Sequence, residues 1–295
     1  LPMPGYQHRL LAVQQNNLSE ECCEQFFAML TQSRRPLIYA GGGVINGNAS
    51  DELRALTSNY NIPVVTTLMG LGSIDTMSPL AMHMLGMHGT AYANYAVDDC
   101  DLLISMGSRF DDRVAGNPPK FAANAKHIMH FDIDPSEIQK VKTADWSHVG
   151  VLKDALLSLA AYGRRREIKT DFSDWLTDLN KLKETYALNY DRDSTLIQPN
   201  YLIETINEIT KGEAIITTGV GQHQMWAAQY FDFREPRLWL TSGSMGTMGF
   251  GLPAAIGAQF ARPDRLVIDL DGDASIRMNL GELETVATYD LPIKI

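Results

Sequence analysis

Three consecutive glycines, Gly41, Gly42 and Gly43, follow the apolar run 36–40 and are the first residues in the chain with an obvious chemical use. Because glycine has no Cβ, its backbone can come close to a phosphate or to a ribityl chain. The spacing is not GxGxxG, and a tight turn after a strand explains the three glycines equally well. A ligand cradle and a plain turn are therefore both open interpretations of this segment.

A charged loop, 107–113, follows the apolar run 101–106 and carries two arginines, Arg109 and Arg113, together with two aspartates. A guanidinium group is well suited to bind a carboxylate or a phosphate through two parallel hydrogen bonds. A cluster of surface ion pairs is the alternative explanation. The loop is a candidate site for an anionic ligand.

Three further segments contain residue types that suit an extended nucleotide. Thr67 and Leu68 lie at the end of one apolar run, and Asp132 lies at the end of another, where a carboxylate can accept hydrogen bonds from ribose hydroxyls. His88 stands among glycines and methionines, a setting that favours packing against a flat heteroaromatic ligand over a purely structural role. Together with the glycines and the charged loop, these segments fit a nucleotide cofactor that lies across a sheet.

Glycine-rich and acidic turns also occur in the last third of the chain. Segments 219–221 and 243–251 each lead from an apolar run into a helical pattern, which implies close backbone contact with a bound group. The acidic turn 271–275 follows the run 266–270. A carboxylate between a strand end and a helix N-terminus suits a hard divalent cation that bridges a diphosphate, although a solitary DGD segment is equally compatible with an ordinary turn.

The pattern around these segments predicts an α/β fold with a doubly wound, largely parallel sheet. A first helix is capped by Ser19 and has apolar residues at spacings of three and four. Sheets of this kind bind ligands at the carboxyl ends of their strands, where the candidate residues stand. The predicted strands are 36–40, 63–67, 101–106, 127–131, 214–218, 237–241 and 266–270, and the predicted later helices are 222–230, 252–260 and 280–289.

Composition changes along the chain predict two domains joined by a linker. A first α/β unit covers 1–163, a polar linker with one amphipathic helix covers 164–200, and a second α/β unit covers 201–295. The arginine triplet 164–166 is interpreted as a solvated face. The chain does not begin with methionine, and 291–295 resembles a strand just entered, so both ends are expected to be cut.

Bulk composition narrows the function classes. The 295 residues are 45% hydrophobic and 20% charged, which is ordinary for a globular protein. The net charge of −10 is spread along the chain and argues against nucleic acid as a partner, because duplex binding needs a basic footprint. Small-molecule chemistry is the better expectation.

Cysteine usage and hydropathy predict a reducing, non-membrane location. The three cysteines, Cys22, Cys23 and Cys100, form an odd set with an adjacent pair, which does not suit a disulfide framework, and all three are expected to be buried thiols. No apolar run approaches the roughly 20 residues that span a bilayer, and residues 1–10 lack the apolar core of a signal peptide.

Taken in order, these segments resemble the catalytic subunits of the acetohydroxyacid synthase family. The similarity extends from about residue 36 to the end of the chain. It depends on the segments GGG, TLMGLGS, LGMHGTAYANYAV, GSRFDDRVAGN, HFDIDPSEI, TTGVGQHQMWAAQ, MGFGLPAAIGAQ and DLDGDAS.

The resemblance implies a thiamine-diphosphate-dependent enzyme of which this chain is a part. Residues 1–163 would be the central, Rossmann-like FAD-binding domain, and 201–295 would be the first part of the thiamine-diphosphate-binding domain. The family's amino-terminal pyrimidine domain, with the glutamate needed to activate the cofactor, is not in this sequence, so the chain alone is expected to be inactive. The implied reaction decarboxylates pyruvate and joins the two-carbon unit to a second pyruvate or to 2-oxobutanoate, the first common step of branched-chain amino acid biosynthesis.

By resemblance, most of the candidate residues in the first unit belong to a structural flavin site, and Gly243 reaches this site from the second unit. Arg113 matches the arginine that holds the carboxylate of the second 2-oxo acid. The residues that match flavin contacts are Gly42, Thr67, Leu68, Gly86, Met87, His88, Gly107, Arg109, Asp111, Asp132, Ile133 and Gly243.

The resemblance places thiamine diphosphate and Mg²⁺ in the second unit. Gln222 and Met248 are implied to act in catalysis beside Arg113, and Asp273 is implied to be the magnesium ligand, with a second ligand expected beyond Ile295. The residues that match thiamine-diphosphate contacts are Gln222, His223, Gly246, Met248, Gly272, Ala274 and Ser275.

Several positions depart from the family pattern. Val151 stands where an aspartate is usual, which removes a hydrogen-bond acceptor at the edge of the flavin site. Ala274 replaces the second glycine of a GDG segment, and it is still a small residue. Ser244, Ile276 and Arg277 also differ from the commoner residues.

Two other function classes remain open from the sequence. One is a different thiamine enzyme that binds FAD, such as glyoxylate carboligase or pyruvate oxidase, and the other is a nucleotide-binding module without catalysis. Arg113 favours an oxo-acid acceptor, whereas a pyruvate oxidase must expose its flavin to electron transfer. The expected partners are 2-oxo acids, further copies of the complete chain as a homodimer or homotetramer, and a regulatory small subunit. The expected location is the cytoplasm in a bacterium, or a plastid or the mitochondrial matrix in a eukaryote.

Overall fold

The computed structural model describes residues 17–295. The prediction that residues 1–10 do not form a signal peptide lies outside this range. Parallel strands alternate with helices, which confirms the predicted α/β class. The strands are β1 (Pro36–Ala40), β2 (Val64–Thr66), β3 (Ala81–Met84), β4 (Leu102–Met106), β5 (His127–Asp132), β6 (Trp146–Val149), β7 (Ile215–Thr218), β8 (Trp239–Thr241) and β9 (Val267–Leu270). The α-helices are α1 (Glu20–Gln32), α2 (Gly42–Asn46), α3 (Ser50–Tyr60), α4 (Ala91–Asp99), α5 (Leu152–Arg165), α6 (Ser173–Thr185), α7 (Pro199–Thr210), α8 (Gln222–Tyr230), α9 (Gly251–Ala261), α10 (Asp273–Ile276) and α11 (Leu283–Thr288), with 3₁₀ turns at Leu68–Gly70 and Arg277–Glu282.

The first sheet has six parallel strands in the order β3-β2-β1-β4-β5-β6. This is the doubly wound order, and its switch point lies between β1 and β4, where consecutive connections depart to opposite sides. The last residues of these two strands, Ala40 and Met106, are register partners. The glycine segment after β1 and the charged loop after β4 therefore start side by side.

Helix α1 forms where the sequence predicts it. The Ser19 hydroxyl accepts a hydrogen bond from the Cys22 N–H at 3.1 Å and caps the helix. Phe26 and Phe27 are buried on its apolar face, and Phe26 packs edge-on against Phe131 of β5. This helix covers one face of the sheet and gives the strands a rigid support.

The sequence prediction missed two strands, gave no bounds for several helices and placed one helix incorrectly. Strands β3 and β6 were not predicted, since each has only four residues and each contains a histidine within its apolar pattern. The predicted helix 280–289 was wrong over 280–282, which belong to the 3₁₀ turn Arg277–Glu282, and the backbone is non-helical at Asn279, just before the predicted start. The Asn279 side chain donates to the carbonyl of Gly249, and this tertiary bond replaces regular helical geometry.

The second sheet has three parallel strands in the order β8-β7-β9. The predicted strand at 291–295 pairs beside β9 through one bridge between Ile268 and Lys294. The Asp269 N–H donates to the Lys294 carbonyl at 2.7 Å, and the Lys294 N–H donates to the Val267 carbonyl at 3.1 Å. The segment therefore continues the sheet, as the sequence predicts.

The predicted linker contains α6, which packs on the first unit. Trp175 is buried with 2% exposure, and its indole N–H donates to the Pro36 carbonyl at 3.0 Å. Arg165 and Arg166 both pair with Glu20 on the surface, which agrees with the solvated-face interpretation of the triplet. The domain limits at 163 and 200 stay a prediction.

The cysteine prediction was correct for two residues out of three. Cys23 and Cys100 are buried free thiols, and burial raises the pKa of each above its usual value. Cys22 is half-exposed because it lies at the edge of the apolar face of α1. Across residues 17–295, the helices are too short or too polar to cross a bilayer.

Candidate functional site

A cavity of about 710 Å³ lies at the switch point of the first sheet. Its walls come from the loops after β1, β2, β4 and β5, and its size falls within the range of cofactor pockets. Gly243 reaches it from the second unit and lies against the Met69 side chain. Most residues predicted to contact flavin line this cavity, namely Gly42, Thr67, Leu68, Gly107, Arg109, Asp111, Asp132, Ile133 and Gly243.

Glycines allow the two loops at the switch point to touch. The Gly43 N–H donates to the Gly107 carbonyl at 3.0 Å, and the Gly41 N–H donates to the Met106 carbonyl at 2.9 Å. A Cβ on Gly43 would stand 2.7 Å from the Gly107 Cα, and Gly107 itself has a φ of +59°. The glycines are needed for loop-to-loop contact, and the backbone that they leave open faces the cavity.

The two arginines of the charged loop have different surroundings. Arg109 pairs with the Asp111 carboxylate at 3.1 Å. The Arg113 N–H also donates to the Asp111 Oδ1, at 3.2 Å, so this carboxylate accepts from both arginines of the loop. Arg113 borders the cavity, and its guanidinium has no ion-pair or hydrogen-bond partner among the residues that the structure describes. This difference favours Arg113 as the group that takes an external anion.

Residues that the sequence analysis did not single out hold this loop in place. Phe110 is buried in a left-handed conformation, with φ of +54°, and packs against Tyr39 and the His130 ring. The His130 Nε2 lies 3.0 Å from the Ser108 carbonyl, which can only accept, so this nitrogen carries the proton. Ser105 and Ser108 share a hydroxyl hydrogen bond of 2.7 Å. A buried histidine in the strand pattern of β5 is the signal that could have revealed this support.

Gly86, Met87 and His88 do not line the cavity. Asn94 holds the peptide of Gly86 with two hydrogen bonds, of 2.8 and 3.0 Å. The Met87 N–H donates to the Arg113 carbonyl at 2.8 Å, while the Met87 side chain is 63% exposed. The segment thus braces the backbone of Arg113, and its contact with a flavin stays a prediction.

Val151 lies at the cavity edge and is also the N-cap residue of α5, where it provides no capping hydrogen bond. Val151→Asp is expected to stabilise the fold by about 1 kcal/mol through the cap and to tighten FAD binding severalfold through a new acceptor. Val151→Ser supplies a cap without a carboxylate and serves as the control. Thermal unfolding and flavin titration of the three proteins check both effects. Equal flavin affinity in Val151→Asp and the parent protein would contradict the predicted effect on FAD binding.

The second candidate site lies at the carboxyl ends of β7 and β9. His223, on the first turn of α8, sits between Gly221 and Gly272, and a Cβ on either glycine would come within about 3.0 Å of the imidazole ring. Burial lowers the pKa of His223, so its ring is neutral near pH 7. Within residues 17–295, the His223 Nε2 and the Asp271 Oδ2 are buried without a hydrogen-bond partner. Such orphaned polar atoms fit a site that is completed by a polar ligand.

The predicted magnesium ligand, Asp273, is the first residue of α10, and its side chain is exposed. Among the described residues, no three His, Cys, Asp or Glu side chains are close enough together to hold a metal ion. Magnesium in nucleotide sites is commonly bound by one or two carboxylates together with phosphate oxygens and water. A single exposed carboxylate beside the orphaned atoms of His223 and Asp271 is compatible with that pattern.

The other residues predicted for thiamine diphosphate fall into two groups. Gln222, Met248 and Ala274 are exposed at the site. Ser275 is buried, and its hydroxyl accepts hydrogen bonds from the Gly249 N–H at 2.9 Å and the Val220 N–H at 3.4 Å. Ser275 therefore ties two loops together with its side chain. Gly246 and Gly272 occupy the turns next to these residues, and Gly246 has a φ of +62°.

Asp269 is buried in β9 and introduces a pH dependence. Its Oδ1 accepts from the Thr217 hydroxyl at 3.0 Å, and burial raises the pKa of its carboxyl from 3.8 to about 7. Since the folded-state pKa lies above the ordinary value, the folded protein binds more protons between these two pH values, and stability is lost as the pH rises through them. Asp269→Asn is expected to make the free energy of unfolding less dependent on pH. At pH 8 it is expected to raise this free energy by up to about 4 kcal/mol over the parent protein.

Urea unfolding between pH 5 and 8 checks the role of Asp269. Asp193→Asn, at an exposed aspartate, is the control and is expected to run parallel to the parent protein. If the free energy of unfolding of Asp269→Asn changes with pH as steeply as that of the parent protein, this carboxyl does not titrate between pH 5 and 8.

Comparisons with known proteins agree with this arrangement. Residues 23–159 match the family model of the thiamine pyrophosphate enzyme central domain, and residues 219–295 match that of the C-terminal TPP binding domain. The chain is 48% identical over 298 residues to acetolactate synthase 2, chloroplastic, of Nicotiana tabacum, covering 99% of this chain and 43% of that protein. It is 47% identical to acetolactate synthase, chloroplastic, of Arabidopsis thaliana, with the same coverage. It is also 47% identical to acetolactate synthase 1, chloroplastic, of Zea mays, over 100% of this chain and 46% of that protein.

The chain thus spans less than half the length of these curated relatives. The two family models lie on the two sheets, since the first ends within α5 and the second begins directly after β7. The matches and the two candidate sites lead to one conclusion: the chain belongs to the thiamine pyrophosphate enzyme family and, within it, is homologous to the acetolactate synthases.

Proposed function

We propose that the complete protein containing this chain is an acetolactate synthase that uses thiamine diphosphate, Mg²⁺ and FAD. It decarboxylates pyruvate and joins the two-carbon unit to a second pyruvate or to 2-oxobutanoate. The observation that carries the proposal is the Arg113 guanidinium, which has no partner in the described part of the chain and borders a cavity that the second unit also lines. Identity of 47–48% to acetolactate synthases over nearly the whole chain supports it.

The switch-point cavity is the proposed FAD site. Its glycine loops leave backbone open for a ribityl or diphosphate chain, and Asp132 offers a carboxylate to ribose hydroxyls. Arg109 is held by Asp111 and adds a positive charge at the same wall. These residues fit an extended dinucleotide, and the flavin is proposed to have a mainly structural role.

The ends of β7 and β9 are the proposed site for thiamine diphosphate, with Asp273 as a magnesium ligand. When bound, this cofactor supplies the carbon nucleophile and the electron sink for decarboxylation. Neutral His223 can donate one ring N–H to the cofactor, and Gln222 and Met248 border the same space. Gly246, with its φ of +62°, lets the loop turn back sharply next to this site.

Arg113 is proposed to bind the carboxylate of the acceptor 2-oxo acid. Its guanidinium, which has no partner within residues 17–295, can form two parallel charge-assisted hydrogen bonds with that carboxylate, and these fix the direction of the neighbouring carbonyl. The Met87 N–H donates to the Arg113 carbonyl and the Arg113 N–H donates to the Asp111 carboxylate, and these two hydrogen bonds keep the residue at the cavity edge. Orientation of the acceptor is thus the contribution of this chain to the joining step.

The organisation of the complete protein follows from the same proposal. We propose the domain limits 1–163, 164–200 and 201–295, assembly as a homodimer or homotetramer, and a regulatory small subunit as a further partner. A plastid or the mitochondrial matrix is the proposed location in a eukaryote, in line with the chloroplastic relatives, and the cytoplasm is proposed in a bacterium.

Product analysis tests the proposal. The complete protein and the present chain are incubated with pyruvate, FAD, Mg²⁺ and thiamine diphosphate, and acetolactate and hydrogen peroxide are measured in parallel. Acetolactate from the complete protein alone is the expected result. Peroxide without acetolactate would favour a pyruvate oxidase, turnover of glyoxylate alone would favour a glyoxylate carboligase, and cofactor binding without any turnover would favour a nucleotide-binding module.

A further inference from the structure

A buried glutamine, Gln224, connects the strand ends from which the loops of the second unit emerge. It lies on the first turn of α8 with 2% exposure. Its amide donates to the Thr241 hydroxyl at 2.7 Å and to the Ser242 carbonyl at 3.1 Å. Thr241 shares a further hydrogen bond of 2.7 Å with the Thr218 hydroxyl. Both protons of the amide are therefore used, and β7, β8 and α8 are joined in one buried network.

This network holds the base of the loop 242–249. Beyond the Ser242 carbonyl, the Ser242 hydroxyl accepts from the Thr247 N–H at 2.8 Å. The Gly246 N–H donates to the Gly243 carbonyl at 3.1 Å and closes the turn. At its far end the loop is held by the Ser275 hydroxyl, which accepts from Gly249. The loop is thus fixed at two points, and Gln224 provides the first.

The same loop borders both candidate cofactor sites. Gly243 lines the switch-point cavity and would clash with Met69 if it carried a Cβ, the nearest atom being the Met69 sulfur at 2.5 Å. Gly246 lies on the thiamine side, where a Cβ on it would stand 3.5 Å from the Val220 side chain. A shift of the loop base moves both ends, because Ser242 and Gly243 are adjacent and the turn is closed by its own hydrogen bonds. Among the described residues that line the switch-point cavity, Gln224 does not occur.

We propose that Gln224 is a positioning residue that couples the flavin site to the thiamine diphosphate site through the base of the loop 242–249. The inference depends on the proposed function, since it assumes that both cofactors bind where that function places them. Removing the amide leaves the Thr241 hydroxyl and the Ser242 carbonyl without their donor, so the loop base loses its fixed position. Affinity for both cofactors then falls together, although Gln224 touches neither of them.

Gln224→Met in the complete protein tests the coupling. Methionine keeps the length and the helix preference of glutamine but donates no hydrogen bond. Dissociation constants are measured separately for FAD, by flavin fluorescence, and for thiamine diphosphate, by near-UV circular dichroism. Both dissociation constants are expected to rise about tenfold or more, because the loss of one hydrogen bond weakens binding by roughly a factor of ten.

Gln259→Met is the matched control. Gln259 is also a buried helical glutamine whose amide donates to two carbonyls, those of Arg262 and Arg265, and it lies away from the loop 242–249. Its loss is expected to lower the unfolding temperature as much as the loss of Gln224 but to leave both cofactor affinities within twofold. Equal effects of the two variants on the cofactors would overturn the proposal.

Thr241→Val provides a second route if Gln224→Met does not fold. Valine keeps the shape of threonine and removes only the shared hydroxyl. Both affinities are expected to fall in this variant, and normal affinity for either cofactor would overturn the coupling. Failure of the parent protein to bind FAD or thiamine diphosphate would instead disprove the proposed function, so the two ideas fail in distinguishable ways.

Discussion

Gly107→Ala is expected to lower FAD affinity about 100-fold and the free energy of unfolding by about 2–4 kcal/mol. Gly107 has a left-handed backbone, which costs an alanine about 1–2 kcal/mol. The Cβ of an alanine at 107 would stand 2.7 Å from the Cα of Gly43. No side-chain rotation can relieve this contact, because the Cβ position is fixed by the backbone and the Gly43 Cα is a backbone atom. The loops after β1 and β4 must therefore move apart. Flavin binding then has to bring them back together, and this lowers the binding free energy by about as much as the substitution lowers the free energy of unfolding. Flavin titration and urea unfolding measure the two effects.

Gly257→Ala is the control for this substitution. Gly257 lies inside α9, and nothing stands within 4 Å of a Cβ placed there. Alanine is therefore expected to stabilise the helix by about 0.5–1 kcal/mol and to leave flavin binding unchanged. A Gly107→Ala protein that binds FAD as tightly as its parent would show that close contact of the two loops is not needed for the flavin site.

In the complete protein, Arg113→Ala is expected to reduce kcat/KM for acetolactate formation about 10- to 100-fold, mainly through a higher KM for the acceptor. A hydrogen bond to a charged group contributes about 1.5–3 kcal/mol, and each 1.4 kcal/mol corresponds to a factor of ten. The described residues offer this guanidinium no internal partner, so its removal breaks no ion pair. Folding stability and the affinities for FAD and thiamine diphosphate are expected to stay unchanged. Initial rates over a range of pyruvate concentrations check the result.

Two further variants separate charge from geometry at this position. Arg113→Lys keeps the positive charge and loses the fork, so an intermediate loss of about tenfold is expected. Arg262→Ala removes an exposed arginine that pairs with Asp264, and it is expected to leave turnover unchanged. If Arg113→Ala keeps kcat/KM within twofold of the parent protein, the acceptor carboxylate is bound by another group.

The strands and the switch-point loops were predictable from sequence because each carries a local signal. Strands β1 and β4 are uninterrupted apolar runs, and each is followed at once by glycine. One short segment therefore indicates both a buried strand and the loop at its end where a ligand can bind. Helix α1 has both a cap and an apolar face. Such features depend on neighbouring residues and need no tertiary information.

Features that depend on distant residues were not predictable. The kink at Asn279 arises from a hydrogen bond to Gly249, thirty positions away in the chain. The hydrogen bonds that hold the loop of His88, to Asn94 and to the Arg113 backbone, are likewise absent from the local pattern. The pattern of a single segment carries no information on these tertiary bonds.

The same limit applies to the candidate sites. Motif spacing alone did not separate Arg109, which pairs with Asp111, from Arg113, whose guanidinium has no partner among the residues that the structure describes. It also did not single out Gln224 or His130, because buried polar residues look like interruptions of an apolar pattern until their partners are known. The distinction between a residue that touches a ligand and one that holds a loop is a tertiary property.

A crystal structure of the complete protein grown with FAD, Mg²⁺ and thiamine diphosphate tests the central claim most directly. The account predicts flavin density in the cavity between the loops after β1 and β4, and diphosphate density at the ends of β7 and β9 with a metal ion on Asp273. Flavin density outside that cavity, or a thiamine diphosphate that leaves Asp273 and His223 without contact, would contradict it.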